Sequence, residues 1–271
     1  MRRAIPGLTE ASVPVGRRPD NGSALVNGFT FGDLEAAISS ARANRYLAST
    51  VDPVSGVADP ARAVALYEHN VEVSTAAWST VADLEVVLRN IIAGAIETHH
   101  ATLRGGHGER WYDPPPWFAT GKWFTSGTLD SISVAMKRGA DPGPGPSLRP
   151  GGGRVVAELT LGFWRYLLTA RYEHSLWNPA IRARFQGLSH LSGSDSRKEV
   201  HERVEKLNYL RNRVAHHEPV YDQFRIPGHP GRIDTVATLD DAIEMIGWSN
   251  PDAANWIRAR SAYASVAARR P

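Results

Sequence analysis

The chain has 271 residues, a formal charge of +3 and no cysteine. That length can bury a sizeable core, and the missing thiols exclude disulfides, cysteine-ligated zinc, iron–sulfur clusters and thiol nucleophiles. No apolar run approaches the roughly 18 residues of a membrane span, and the segment after Met1-Arg2-Arg3 is too interrupted for an export signal, so a soluble, cytoplasmic protein is expected.

The modest positive balance leans toward anionic partners without naming one. Its basic residues are mostly arginine, lysine standing only at Lys122, Lys137, Lys198 and Lys206. Arginine suits bidentate phosphate contacts, although an Arg-, Ala-, Gly- and Pro-rich chain is equally the mark of GC-rich coding.

Residues 1–28, with Pro6, Pro14 and Pro19, read as a flexible N-terminal arm. Thr30 and Asp33 have the spacing of a weak capping box, and Leu34, Ala37, Ile38 and Ala41 then predict a helix that fades near Ser49-Thr50. Asp59-Pro60 is a second start signal, a cap followed by proline at the first helical position. From there to about His100 the pattern predicts one long helix, or two with a break near Thr75, and Gly94 is its single glycine.

Residues 105–127 form a predicted loop rich in Gly, Pro and Trp, followed by a short helix to about Arg138. The segment 139–153 reads as an irregular Pro/Gly-rich insertion. Helix resumes over about 154–172, with Gly162 offering a neighbour close approach. Trp177-Asn178-Pro179 starts a short helix to Phe185, and a polar loop covers Gly187 to Asp195.

A long amphipathic helix runs from about Ser196, carrying Val200, Val204, Leu207, Leu210 and Val214 at alternating four- and three-residue steps. Pro219 disfavours helix at Glu218, so the helix ends near His217. Beyond a proline-containing loop, helices are expected over about 238–248 and, capped by Ser249-Asn250-Pro251-Asp252, to about Ala268. Strand signals are scarce, a short one at 232–236 being the clearest, and the fold class is all-α.

The chemistry gathers at Leu210-Arg211-Asn212-Arg213-Val214-Ala215-His216-His217-Glu218-Pro219. A guanidinium, a carboxamide and an imidazole are a sufficient set for cleaving a phosphodiester beside a 2′-hydroxyl without metal. Imidazole serves as base or acid, Arg211 stabilises charge on the crowded phosphate, and Asn212 orients His216 or the phosphate. Asn212 and His216 share a helical face, whereas Arg211 and His216 lie about 140° apart around an ideal axis. A two-fold dimer that builds each pocket from both chains would relieve that mismatch.

The Arg-Asn-x-x-x-His pattern on a late helix resembles the HEPN superfamily of helical ribonucleases. The ordered words Leu84-Glu85-Val86-Val87-Leu88-Arg89-Asn90, Glu158-Leu159-Thr160-Leu161-Gly162-Phe163-Trp164, Leu176-Trp177, residues 207–219 and Gly247-Trp248 are similar to its Abi-like (abortive infection) members, from about residue 60 to the C-terminus. The resemblance implies a HEPN-like helical bundle, with additional N- and C-terminal helices and long loops, forming one domain over 29–271 with the 139–153 insertion. It implies a homodimer with a composite active site, in which Arg211, Asn212 and His216 are catalytic.

The implied activity is a toxin-like, metal-independent endoribonuclease that acts in phage defence or a toxin–antitoxin pair and leaves 2′,3′-cyclic phosphate and 5′-hydroxyl ends. RNA is then the substrate, an RNA or protein antitoxin a further partner, and no cofactor or metal is required. His217, Arg213, Glu85, Arg89 and Asn90 are supporting or RNA-binding candidates. The alternative is a catalytically silent RNA-binding or regulatory dimer.

Plainer roles stand beside these. Arg211 could pair with Glu85 or Glu205, His216 could merely cap its helix, and Glu85 and Arg89 have the spacing of an ordinary helix ion pair. His99, His100 and His107 lack further ligands at metal-binding spacing. Trp111, Tyr112, Trp117, Trp123 and Phe124 could stack on bases, but packing against the helices is the simpler expectation.

Overall fold

The structure, a computed structural model, describes residues 28–104, 110–112, 123–139, 152–226, 228 and 231–271. The expected N-terminal arm up to residue 27, most of the 139–153 insertion, His107 and Trp117 lie outside them. Among the described residues the chain is all-α, with ten α-helices and one two-residue antiparallel ladder, Phe224–Arg225 against Arg232–Ile233. No helix there is long and apolar enough to cross a membrane. The described residues group into two compact units, those up to Glu72 with 269–271, and those of 73–268, and the expected 29–271 domain draws on both.

In the first unit, α1 (Phe31–Ile38) opens on the expected capping box. The Thr30 hydroxyl accepts the Asp33 N–H, and the Asp33 carboxylate accepts the Thr30 N–H. The Thr30 hydroxyl, which also donates to that carboxylate at 2.6 Å, and then the Thr30 N–H hold the Asp33 carboxyl below its usual range. The predicted continuous helix breaks at Ser39, whose φ of 78° no α-helix accommodates, and α2 follows at Ser40–Ala48. Leu34, Ala43 and Val64 form the buried centre of this unit, with Tyr46 and Tyr67 edge to face.

Helix α3 (Pro60–Arg104) starts where the sequence places it, the Asp59 carboxylate accepting the Ala61 and Arg62 N–H groups. It runs 45 residues without a break at Thr75. The periodic burial of Val73, Ala77, Val81, Leu84, Leu88, Ile92 and Ile96 gives it a reason to continue through the second unit's core.

The second unit continues with α4 (Ser126–Gly139) and α5 (Gly152–Glu158). Gly139, Gly152 and Gly153 are therefore helix ends rather than irregular chain. A Cβ on Gly139 would stand 3.2 Å from the Val155 backbone nitrogen, so the glycine lets these two helices meet.

The helix predicted over 154–172 is interrupted at Leu159-Thr160, where two side chains satisfy the backbone. The Thr160 hydroxyl caps α6 (Leu161–Leu167) by accepting the Phe163 N–H, and Trp164 Nε1 donates to the Leu159 carbonyl. Gly162 makes only ordinary contact, Asn208 Oδ1 lying 3.9 Å from an ideal Cβ, so the expected close approach is absent.

A 3-10 turn (Ala170–Tyr172) and a π-helix (Glu173–Ile181) follow, so helix begins before Trp177 and Pro179 sits inside it. The wider π turn relieves the clash that proline makes with the preceding turn of an α-helix. Helix α7 (Gly193–Ala215) starts three residues earlier than expected because Ser192 caps it.

Helix α8 (Thr235–Gly247) likewise starts early, on an Asp234 cap. Helix α9 (Pro251–Arg260) takes its expected Asn250 cap. The predicted run to Ala268 breaks at Ser261, whose backbone is extended and whose hydroxyl bonds the Ile257 carbonyl and Thr80 of α3. Helix α10 (Tyr263–Ala267) is separate.

Trp111, Tyr112 and Phe124 are buried and pack edge to face or tilted with one another and with Trp164. The loop aromatics among the described residues thus serve the core, and those three do not present faces to a nucleic acid. His99 stacks on Trp123 at 5.3 Å and 12°.

Candidate active site

Val200, Val204, Leu207, Leu210 and Val214 anchor α7 in the core, against α6, α8 and the π segment. Their burial fixes where its four arginines point. Arg197 donates to Glu173 at 3.0 Å and to the Leu168 carbonyl at 2.9 Å. Arg203 meets Glu199, Asp241 and Glu244 at 2.9–3.2 Å, lies 4.5 Å over Trp248, and so ties α7 to α8. Arg213 lies 4.6 Å over Phe224, pairs with Glu218 at 3.1 Å and donates to the Pro219 carbonyl at 2.9 Å. It clamps the chain that leaves the helix, a structural task.

Arg211 is different. Its nearest carboxylate, Glu85 of α3, is 3.9 Å from Nε, beyond hydrogen-bonding distance, and that Nε is buried with no hydrogen-bond partner. The guanidinium lies 5.5 Å over the Trp78 ring, and Nη1 reaches Asn212 Oδ1 only at 3.5 Å. One third of its side chain remains exposed. A guanidinium held by stacking and by a distant charge has no strong acceptor of its own, and its exposed third is the part an incoming oxyanion would meet.

Asn212, half-buried, accepts the His216 N–H on its backbone carbonyl at 2.9 Å, which joins both to the last helical turn. His216 is the C-cap and is exposed. His217 follows at φ 55°, in the left-handed region. Its N–H donates to the Val214 carbonyl, and Glu218 N–H donates to the Arg213 carbonyl. These two bonds make a Schellman motif whose pivotal position, usually glycine, is filled by histidine.

That choice costs about 1 kcal/mol of backbone strain. Replacing His217 with glycine should raise the melting temperature by about 2–3 °C, measurable by calorimetry. An unchanged or lower value would mean that the imidazole makes a compensating contact.

Of the expected supporting residues, Glu85 approaches Arg211 rather than forming the helix pair with Arg89. The Nε of Arg89 is buried without a hydrogen bond. Glu205 pairs with Arg165 at 2.7 Å and so is not the partner of Arg211. Asn90 is exposed and faces a different groove, with no contact to Arg211 among the described residues.

Trp78, 42% exposed, was not marked by the sequence as a site residue. Its only sequence signal is an aromatic seven residues, about two helical turns, before Glu85. His201, one turn before Glu205, has a buried Nε2 without a partner, and burial pushes its imidazole below the usual histidine range. Among the described residues no three His, Asp or Glu side chains converge as metal ligands would. A scan against protein-family models, a search of curated proteins and a search of solved structures each return no match.

Proposed function

We propose that the protein is a metal-independent endoribonuclease of the HEPN type, toxin-like, acting in phage defence or as the toxin of a toxin–antitoxin pair. The observation that carries the reading is Arg211. It is the α7 arginine without a hydrogen-bonded carboxylate or backbone carbonyl, and it lies beside Asn212 in the sequence pattern Arg-Asn-x-x-x-His. In the proposed reaction His216 takes the proton of the ribose 2′-hydroxyl, and the 2′-oxygen attacks phosphorus. The bond to the 5′-oxygen breaks, and that oxygen takes up a proton from solvent water. Arg211 holds the non-bridging oxygens, leaving a 2′,3′-cyclic phosphate and a 5′-hydroxyl.

Helical geometry favours a homodimer with a composite pocket, because Arg211 is turned onto Trp78 and Glu85 of α3 while His216 is exposed at the helix end. Trp78, Ala82 and Val86, at four-residue steps on α3, form an exposed apolar stripe beside Arg211 that suits a second copy. The test is cleavage of a mixed RNA by purified protein in EDTA. Undiminished cleavage supports the reading. Tight RNA binding without any new 5′-hydroxyl ends would assign the protein instead as a silent RNA-binding dimer.

A further inference from the structure

A groove of about 740 Å³ runs along α3 on the side that carries Asn90, Gly94 and Thr98. Its other wall is built from residues of the π segment and its following turn, with Asn250 at one end. Three carboxamides line it, those of Asn90, Gln186 and Asn250, together with the guanidinium of Arg184 and the imidazole of His99. No carboxylate of the described residues does.

The carboxamides of Asn90 and Gln186 make no hydrogen bond to the described residues. The Asn250 side-chain oxygen is used by its helix cap, which leaves its amide N–H groups available. Arg184 donates to neutral oxygens, Thr98 Oγ1 at 2.7 Å and the Gly94 carbonyl at 3.3 Å. Those bonds fix the arginine against the groove wall while, among the described residues, no carboxylate pairs with it.

Gly94 supplies a second, independent observation. It is the single glycine in the 45 residues of α3, where glycine costs about 1 kcal/mol against alanine. Nothing lies within 4 Å of where its Cβ would stand, so no neighbouring element requires the missing side chain. What the glycine preserves is the open floor of the groove.

We propose that this groove binds a ribonucleotide unit, one base and one phosphate, at a site separate from Arg211. The volume is within the range of small-ligand pockets. A carboxamide offers a donor and an acceptor side by side, the complement of a base edge, above all of adenine. One unpaired guanidinium matches one phosphate. His99, already stacked on Trp123, offers an aromatic surface on which a base extends the stack. The absence of lining carboxylates removes the repulsion that a phosphate would otherwise meet. The proposal does not depend on the ribonuclease reading, since the groove uses none of Arg211, Asn212 and His216.

The test is calorimetric titration of the full chain with AMP and with pentaadenylate RNA, for wild type, Gly94→Met, Arg184→Gln and Arg211→Ala. Gly94→Met puts a flexible apolar side chain into the groove while improving helix propensity, so it should melt no lower than wild type. Arg184→Gln removes the charge at an exposed position, and thermal denaturation checks its fold. Both groove variants should weaken AMP binding about tenfold or more, and Arg211→Ala, which removes the guanidinium of the other site, should weaken it by less than either groove variant.

Comparable binding of AMP and of the oligonucleotide would identify a free nucleotide as the ligand, and binding of the oligonucleotide alone would identify a segment of RNA. The proposal is overturned if neither probe binds saturably up to about 5 mM, or if both groove variants bind as wild type does.

Discussion

Arg211→Ala and His216→Ala homodimers should each lose RNA cleavage by a factor of about 10² to 10³, while an equimolar, refolded mixture of the two should regain it in part. The loss follows from the chemistry. Arg211 reaches the Asn212 carboxamide at 3.5 Å and has no carboxylate closer than 3.9 Å, and His216 is the imidazole at the end of the same turn. The recovery follows from geometry.

If one pocket takes Arg211 from one chain and His216 from the other, a mixed dimer has one pocket with both groups mutated and one with both intact. Statistical mixing makes about half of the dimers mixed, each with one working pocket of two, so roughly a quarter of wild-type activity should return. A mixture as inactive as either variant would put Arg211 and His216 of one chain in the same pocket, and the composite site would be wrong. Circular dichroism must show that both variants stay folded. Arg211 supports no hydrogen bond that the core depends on, and His216 is exposed, so neither change should unfold the chain.

The largest expected effect on stability is at Trp164. Its side chain is fully buried, its ring centroid lies 5.1 Å from Phe163 and 6.1 Å from Trp111, and its Nε1 satisfies the Leu159 carbonyl at the break between α5 and α6. Alanine there leaves a large cavity and a buried carbonyl without its donor, a loss of about 4 kcal/mol. That is a large part of the 5–15 kcal/mol that holds a typical domain, and the melting temperature should fall by about 10 °C. Trp256→Ala is the control. That ring is 52% exposed and carries only Arg260 over its face, so the change should stay within about 0.5 kcal/mol. Equal effects at the two tryptophans would mean that the core is not centred on Trp164.

Much of the helical plan is legible in sequence where the information is local. Thr30, Asp59 and Asn250 announce helix starts because a cap needs only its own side chain and the next three residues. The long run of α3 and the buried face of α7 are legible from their periodicity. What escapes is set by tertiary bonds. The breaks at Leu159-Thr160 and at Ser261 depend on Trp164, Thr80 and their hydrogen-bond partners, and the π turn that admits Pro179 depends on its packing.

The candidate site shows the same division. Arg211 and Arg213 are two residues apart and chemically identical, and only the fold gives one a close carboxylate, a carbonyl and a phenyl ring while leaving the other on Trp78 with its nearest carboxylate 3.9 Å away. Asn90, which repeats the Leu-Arg-Asn word of α7, reads as a site residue in sequence, yet the turn of α3 carries it round to the other groove. Gly94 reads as a minor weakness in a helix, and its meaning appears only once the space above it is seen to be open.

The most direct measurement is the chemistry of the RNA ends produced in EDTA by wild type and by His216→Ala. The account predicts new 5′-hydroxyl and 2′,3′-cyclic phosphate ends from wild type, at least about a hundredfold fewer from the variant, with both proteins equally folded. Cleavage that EDTA abolishes, products with 5′-phosphate ends, or equal cleavage by His216→Ala would contradict it.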